Sequence, residues 1–239
     1  MRKLLTGALA ATITLAGGGA ATVHAQTDGV AFSTKVSPAD AGTKRKPKNT
    51  ALNFNMAVDR PGTTVEFIDL TLPKGLKLSG KGLGNCTPDK LEFEGPEACA
   101  DDRAGPQGTA SASLGAQGAP LSFTIDPFVQ NAKTMLFFVE STIGLDVEAP
   151  LTGKITAGGR KLRISIPLAL RQPVPGVDAS LTGLNQTFNV KKGKRYLVRS
   201  TGCKGGKHRF GAKLTFTPRA DNAPVPAPVS ARTTSNCSK

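Results

Sequence analysis

The chain has 239 residues, of which 31 are Lys or Arg and 17 are Asp or Glu, so its net charge is +14 at pH 7. Its hydrophobic content of 38% is too high for a wholly disordered chain, and its 27 Gly and 17 Pro follow no regular period, which excludes a collagen-like fibre. Because only 2 His are present, most His-based catalysis and metal binding is excluded as well. The length suits one large or two small globular domains.

Residues 1–25 have the features of a secretory signal peptide. Arg2 and Lys3 form a charged start, an apolar stretch of about 13 residues follows, and Val23 and Ala25 place small side chains before a cleavage site at Gln26. The apolar stretch is too short to cross a bilayer, which takes about 20 residues. We therefore predict a mature chain of residues 26–239, without a membrane span, that is secreted to the extracellular space or the cell envelope.

The first predicted strands alternate large apolar residues with polar or small ones. Residues 52–58 place Leu52, Phe54, Met56 and Val58 on one side. Residues 65–72 repeat this period of two and end at a Pro-Lys-Gly turn. Each segment therefore predicts a strand with a single buried face.

An acidic segment follows, with six carboxylates in fourteen positions: Asp89, Glu92, Glu94, Glu97, Asp101 and Asp102. On a strand, Glu92 and Glu94 would share one face, with Leu91 and Phe93 on the other. Such a pair could serve a glycosidase, and carboxylate oxygens suit Ca²⁺. However, EF-hand spacing is absent, and sugar-cleaving grooves usually stack rings on Trp or Tyr, of which this chain has one Tyr and no Trp. We therefore predict a solvated acidic loop, with Ca²⁺ binding and acid/base catalysis as alternatives.

The middle of the chain continues the strand pattern. Residues 104–118 are rich in Ala, Gly and Ser and predict a surface connection with one weak strand. Residues 121–125 alternate, whereas residues 135–139 are apolar on both faces, which is typical of a central strand covered on each side. Residues 162–170 alternate again, but Pro167 lacks the N–H that a ladder needs, so this strand should lie at an edge or bend there.

Residues 207–216 predict a further strand, and residues 222–228 predict an edge strand or an extended tail. His208 falls on the apolar face of the first of these, while Lys207, Arg209 and Lys213 fall on the outward face. A nucleophile needs a base beside it, and the chain has no Gly-x-Ser-x-Gly motif to accompany this histidine. We therefore expect His208 to be a packed residue, and we predict no catalytic residue.

Four cysteines in an exported chain predict disulfides rather than metal ligands, because that compartment is oxidising and no Cys-x-x-Cys pair is present. Four cysteines permit three pairings. We favour Cys86 with Cys99 and Cys203 with Cys237, because these partners are close along the chain and this pairing agrees with the predicted strands. The second bridge would bring the C-terminal tail back onto the body of the protein.

Between residues 191 and 219 the chain carries ten basic residues and no acidic residue. These charges fall on two predicted strands joined by a turn at 202–206, and a field of this sign attracts polyanions. Nucleic acid is not the expected partner, because a recognition helix and stacking aromatic residues are both missing. The predicted polyanion contacts are Lys191, Lys192, Lys194, Arg195, Arg199, Lys204, Lys207, Arg209 and Lys213.

Several short segments carry a resemblance to a known group of proteins: Thr34-Lys35-Val36-Ser37-Pro38, Ala41-Gly42-Thr43-Lys44, Leu72-Pro73-Lys74-Gly75-Leu76, Gly95-Pro96-Glu97-Ala98-Cys99 and Thr201-Gly202-Cys203. They are similar to a group of uncharacterised secreted proteins of high-GC Gram-positive bacteria. The resemblance spans most of the mature chain and implies export, the disulfide pairing favoured above and a β-rich fold. It implies no functional residue, because that group has no assigned activity.

Short strands between Gly and Pro turns, with no long helical period, predict one all-β domain. We expect an antiparallel β-sandwich, immunoglobulin-like or jelly-roll-like, with about ten strands and two disulfides. The leading functional hypothesis is a non-catalytic protein, without cofactor or metal, that binds anionic cell-envelope polymer through its basic C-terminal part. The alternatives are a structural surface protein that self-associates through its acidic and basic segments, and a secreted hydrolase that uses Glu92 and Glu94.

Overall fold

A computed structural model of the protein describes residues 25–40, 42–115, 118–142, 145, 147–203 and 205–238. Residues 1–24 of the predicted signal peptide therefore lie outside the described residues. Lys204, one of the predicted polyanion contacts, also lies outside them.

Strands form most of the described structure. The first nine are β1 (Ala25–Thr27), β2 (Val30–Ser37), β3 (Lys48–Asn49), β4 (Ala51–Val58), β5 (Val65–Thr71), β6 (Leu76–Leu78), β7 (Gly108–Leu114), β8 (Ala119–Val129) and β9 (Thr134–Ser141). The next eight are β10 (Glu148–Thr156), β11 (Lys161–Ser165), β12 (Ala179–Phe188), β13 (Lys191–Lys192), β14 (Arg195–Tyr196), β15 (Val198–Ser200), β16 (Lys207–Phe216) and β17 (Val229–Asn236). The helices are α1 (Pro88–Phe93) and α2 (Leu168–Arg171), and a 3₁₀ segment spans Pro96–Asp102.

Twelve of these strands form one sheet in the order β1-β2-β4-β12-β7-β8-β9-β10-β11-β5-β16-β17, and its ladders are antiparallel. The sheet curls until its last strand lies against β2, where the N–H of Val36 donates to Ser235 Oγ at 3.3 Å. Its inner faces therefore pack against each other across one core. This arrangement confirms the predicted all-β fold with antiparallel, sandwich-like packing.

The core follows from the alternation along each strand. On β4, Leu52, Phe54, Met56 and Val58 are all buried, as predicted. The rings of Phe54 and Phe188 lie 5.6 Å apart between neighbouring strands, at a separation where aromatic rings attract each other. Because full burial of one such side chain is worth about 1.5–3 kcal/mol, these inner faces supply the main driving force for the fold.

The central strand β9 is covered on both faces, as predicted. Phe137 and its alternate neighbours face the large core, whereas Leu136 and Phe138 face a second, smaller cluster. Leu91 of α1 and the disulfide between Cys86 and Cys99 complete that cluster. The α1 helix and the 3₁₀ segment therefore form a cover over the outer face of the sheet.

Both predicted disulfides are confirmed. Cys86 pairs with Cys99, and Cys203 pairs with Cys237. The second bridge joins the segment before β16 to the residue after β17, so the C-terminal tail packs back onto the body as expected. Bridges of this kind are typical of proteins that fold in an oxidising compartment.

A strand through Glu92 and Glu94, on which the two would share a face, does not form, and the segment predicted as a loop is helical over residues 88–93, which form α1. Thr87 caps this helix: its hydroxyl accepts a hydrogen bond from the N–H of Lys90 at 3.3 Å, and Pro88 occupies the first turn. The helix separates two apolar residues that a strand would keep together, since Leu91 is buried while Phe93 is 81% exposed. Glu92 and Glu94 therefore do not share the face of a strand.

The strand predicted over residues 162–170 ends at Ser165, and the chain bends at Pro167 into α2. The bend, one of the two predicted alternatives, is therefore confirmed, while β11 itself lies between β10 and β5 inside the sheet. Residues 222–228 form no strand, and β17, which follows them, is one of the two end strands of the sheet. Neither helix in the described ranges is long and apolar enough to cross a membrane.

Candidate anion-binding face

Basic side chains converge on the outer surface of five neighbouring strands. A cross-strand row runs from Lys154 on β10 to Arg163 on β11, Asp69 on β5, Lys213 on β16 and Ser230 on β17. Side chains in such a row point to the same side of the sheet, because residues opposite each other across a ladder share a face. Three cations therefore flank a single acidic residue in this row.

The next row along the strands adds further positive charge. Lys161 on β11 lies opposite Thr71 on β5, which lies opposite Gly211 on β16, and Gly211 lies opposite Arg232 on β17. Arg209 and Lys207 continue the same outward side of β16. We define the basic face as Lys154, Lys161, Arg163, Lys207, Arg209, Lys213 and Arg232; Lys161 is half-buried and the others are exposed.

Asp69 is the only acidic residue in these two rows, and it is 3% exposed. Its two carboxylate oxygens accept hydrogen bonds of 2.8 Å from Nε and Nη2 of Arg163, and Lys161 Nζ lies 3.4 Å away. The hydrogen bond from Arg163 is the main cause that lowers the pKa of Asp69. One buried anion thus holds two cations in place and leaves most of the positive charge uncompensated.

The spacing of these charges lets their potentials add. Neighbouring strands lie about 4.8 Å apart, and alternate residues on one strand lie about 7 Å apart. Both distances are shorter than the screening length of about 8 Å at physiological salt. An approaching anion therefore experiences neighbouring cations of the basic face together rather than one side chain.

The structure brings together only part of the predicted polyanion set. Lys207, Arg209 and Lys213 share one outward face, as predicted. The remaining described members lie elsewhere. Lys191, Lys192, Lys194 and Arg195 belong to the separate β13–β14 hairpin, and Arg199 lies on the three-stranded sheet β3-β15-β6.

The hairpin makes its own local contacts. Lys192 Nζ lies 3.5 Å from Asp102 Oδ1, and Arg195 donates to the carbonyl of Gly82 at 3.0 Å. Arg199 lies opposite Lys77 of β6 in its own small sheet, and both side chains are exposed. These cations therefore do not belong to the basic face.

Four members of the basic face were missed from the sequence: Lys154, Lys161, Arg163 and Arg232. Lys154 and Arg232 are isolated basic residues, whereas Lys161 and Arg163 form a short basic cluster with Arg160. A further signal was their outward position in alternating strands, as in residues 161–165, where Lys161 and Arg163 alternate with buried Leu162 and Ile164.

The carboxylates of the acidic segment lie on α1, on its C-cap and on the 3₁₀ segment. Glu92 and Glu94 are exposed, and Glu97 pairs with Arg103 at 2.9 Å. Asp102 accepts a hydrogen bond from the N–H of Asn85 at 3.1 Å, which fixes the chain before Cys86. Within the ranges that the structure describes, no group of three or more His, Cys, Asp or Glu side chains is placed to hold a metal ion.

His208 is packed inside the protein, as predicted, and is 1% exposed. Its ring contacts Phe210 edge to face at 6.3 Å between centroids. Among the described residues, neither ring nitrogen has a hydrogen-bond partner. Burial lowers the pKa of His208, because the charged imidazolium would lose its hydration there.

Comparisons with family models, with curated proteins and with solved structures found no match.

Proposed function

We propose that this is a secreted, non-catalytic protein that binds an anionic polymer of the cell envelope through its basic face. The observation that carries the proposal is the convergence of seven cations from four strands on one outer face whose two defining rows hold a single acidic residue, Asp69. The three cations on β16 are close to one another in the sequence. The others are brought there by the order of strands in the sheet.

A polymer suits this surface better than a single small anion. The five adjacent strands β10, β11, β5, β16 and β17 together span roughly 19 Å, which is wide enough to contact several repeats of a polymer. Each exposed ion pair contributes at most about 1 kcal/mol, so one phosphate should bind weakly. Several phosphates on one chain bind together, because after the first contact the others form within a single complex.

Long-chain polyphosphate immobilised on a resin is a direct probe of the basic face. The mature protein, residues 26–239, should be retained at low salt and released by increasing NaCl, since screening weakens contacts between exposed charges. Free inorganic phosphate at the same phosphate concentration should release much less protein than soluble polyphosphate. Equal release by the two competitors would contradict multivalent binding.

A matched pair of triple variants separates the basic face from net charge. Lys207→Gln/Arg209→Gln/Lys213→Gln removes three exposed cations from β16. Lys44→Gln/Arg45→Gln/Lys46→Gln removes two Lys and one Arg from an exposed loop. We expect the first variant to elute at clearly lower NaCl and the second to elute close to the wild type. If the two variants elute together, only net charge matters and the proposal fails.

Attachment to the envelope is tested on cells that produce the protein. Intact cells are washed with increasing NaCl, and the protein is measured in each wash and in the medium. The wild type should remain with the cells at low salt and appear in the wash at high salt, whereas the β16 triple variant should appear in the medium. Wild-type protein that never associates with cells at low salt would reject the proposal.

A further inference from the structure

An apolar cavity of about 90 Å³ lies within the core, apart from the basic face. Sixteen of its eighteen lining residues are apolar, and the exceptions are Arg171 and Gln186. Phe54, Phe123 and Phe137 form part of its buried wall. Space with this lining favours hydrocarbon over water, which needs two to four polar partners to be stable.

The cavity exists because short side chains occupy inward positions of two adjacent strands. Ala110 and Ala112 line it from β7, and Ala179 lines it from β12. Elsewhere in the core the inward positions of the strands carry mainly Leu, Ile, Val or Phe. The empty volume is therefore a consequence of the small residues in the sequences of β7 and β12.

The cavity reaches the surface beside α2. Ile166, Leu170 and Arg171 all line the cavity and are only half-buried. The α2 helix has a single turn, no buried residue and no side-chain cap, and its Leu168 is 57% exposed. The one-turn helix α2 thus forms one side of the opening.

Arg171 places a positive charge at this opening. Its Nε donates to the carbonyl of Ile166 at 3.1 Å, which orients the guanidinium, and in the described structure it forms no ion pair with a carboxylate. The remaining N–H groups are directional donors that suit a carboxylate or a phosphate. An apolar interior with an Arg at its mouth that pairs with no carboxylate among the described residues matches a molecule that has an alkyl chain and an anionic head.

We propose that the cavity binds the alkyl chain of an anionic amphiphile, with the methyl end of the chain inside and the head group on Arg171. The volume limits how much of the chain enters, since an apolar cavity of about 150 Å³ holds one benzene. A short terminal part of the chain fits, and the rest passes through the opening beside α2. The site is independent of the basic face, which contains neither Arg171 nor any cavity-lining residue.

A series of straight-chain carboxylates from butanoate to decanoate tests the proposal by calorimetry, below their micelle concentrations. Affinity should rise about fourfold for each added methylene, which is the fold change for about 0.8 kcal/mol per buried CH₂. The rise should stop once the cavity is filled. Absence of binding throughout the series, or affinity independent of chain length, would overturn the proposal.

Two variants separate the chain from the head group. Ala112→Leu fills the cavity and should weaken decanoate binding at least tenfold, with Ala110→Val as the second choice if the first does not fold. Arg171→Gln should weaken decanoate at least fivefold but leave decanol unchanged, and the control Arg45→Gln should change neither. If Arg171→Gln weakens decanoate and decanol binding equally, Arg171 does not bind the head group. If a folded cavity-filling variant binds decanoate as well as the wild type does, the cavity is not the binding site.

The alkyl chain could belong to a free fatty acid or to a lipid in a membrane, and a third measurement distinguishes these sources. The protein is mixed with phosphatidylglycerol vesicles in 0.5 M NaCl, which suppresses binding by the basic face. Flotation with the vesicles that is lost in Ala112→Leu indicates a membrane lipid. Decanoate binding without flotation indicates a free amphiphile, and absence of both rejects the site.

Discussion

Asp69 and Arg163 lie directly opposite each other on neighbouring strands, and two hydrogen bonds of 2.8 Å join their side chains. The carboxylate is 3% exposed, whereas the arginine reaches the surface and lies 5.2 Å above the ring of Phe67. The pair therefore has two effects, a favourable one on stability and an unfavourable one on the proposed anion binding. It stabilises β5 against β11, and it reduces the positive charge of the basic face.

Replacing Asp69 should affect these two properties in opposite directions. Asp69→Asn keeps the size of the side chain but removes its charge, so unfolding free energy should fall by about 1–3 kcal/mol. The same variant should need more NaCl than the wild type for release from polyphosphate. Urea unfolding and salt elution measure the two effects, and Asp59→Asn, which removes an exposed carboxylate, is the matched control.

The stability difference for Asp69 should also depend on pH with a defined sign. Because its pKa in the folded protein is lowered, the carboxylate stabilises the fold above its usual pKa of about 4 and loses this effect as pH falls further. The difference between wild type and Asp69→Asn should therefore be constant near neutral pH and shrink in acid. A difference that grows in acid would contradict this account.

His208 should make the protein less stable as the pH falls below about 6.5, the ordinary pKa of histidine. Its pKa is lowered in the folded protein, so between the two pKa values the unfolded chain binds one more proton. Stability should then decrease by up to about 1.4 kcal/mol per pH unit until the lower pKa is reached.

His208→Phe should remove this pH dependence while preserving the packing, because the native ring has no hydrogen-bond partner among the described residues. Urea unfolding of both proteins at pH 7.5, 6.0 and 5.0 measures the difference, in which the carboxylates that both proteins share cancel. Parallel curves for the two proteins over this range would show that His208 is not the group responsible.

Two apolar residues of α1 should respond differently to the same substitution. Leu91→Ala should lower the unfolding free energy by about 2–5 kcal/mol, because Leu91 packs between the disulfide and the outer face of β9. Phe93→Ala should change it by less than about 0.5 kcal/mol, because that side chain is exposed. Similar losses for both variants would indicate a strand through these positions instead of a helix.

Local sequence patterns were sufficient to predict burial wherever a single strand shows clear alternation of apolar and polar residues. The alternation in residues 52–58 and 207–216 predicted which side chains are buried, because a strand turns successive residues to opposite faces. The same rule failed for residues 88–93, where Leu91 and Phe93 mimic a strand but the Thr87 cap and Pro88 start a helix. Short segments allow both readings, and packing against β9 decides between them.

By itself the sequence determined the all-β class, the buried faces of the best-patterned strands and the outward positions of Lys207, Arg209 and Lys213, and it favoured one of three cysteine pairings, which the structure then confirmed. Only the tertiary structure decided that Lys154, Arg163 and Arg232 join them, and that three alanines leave a cavity behind Arg171. The reason is physical. Period and charge along one strand are local properties, whereas neighbours across a sheet depend on the order in which distant strands pair.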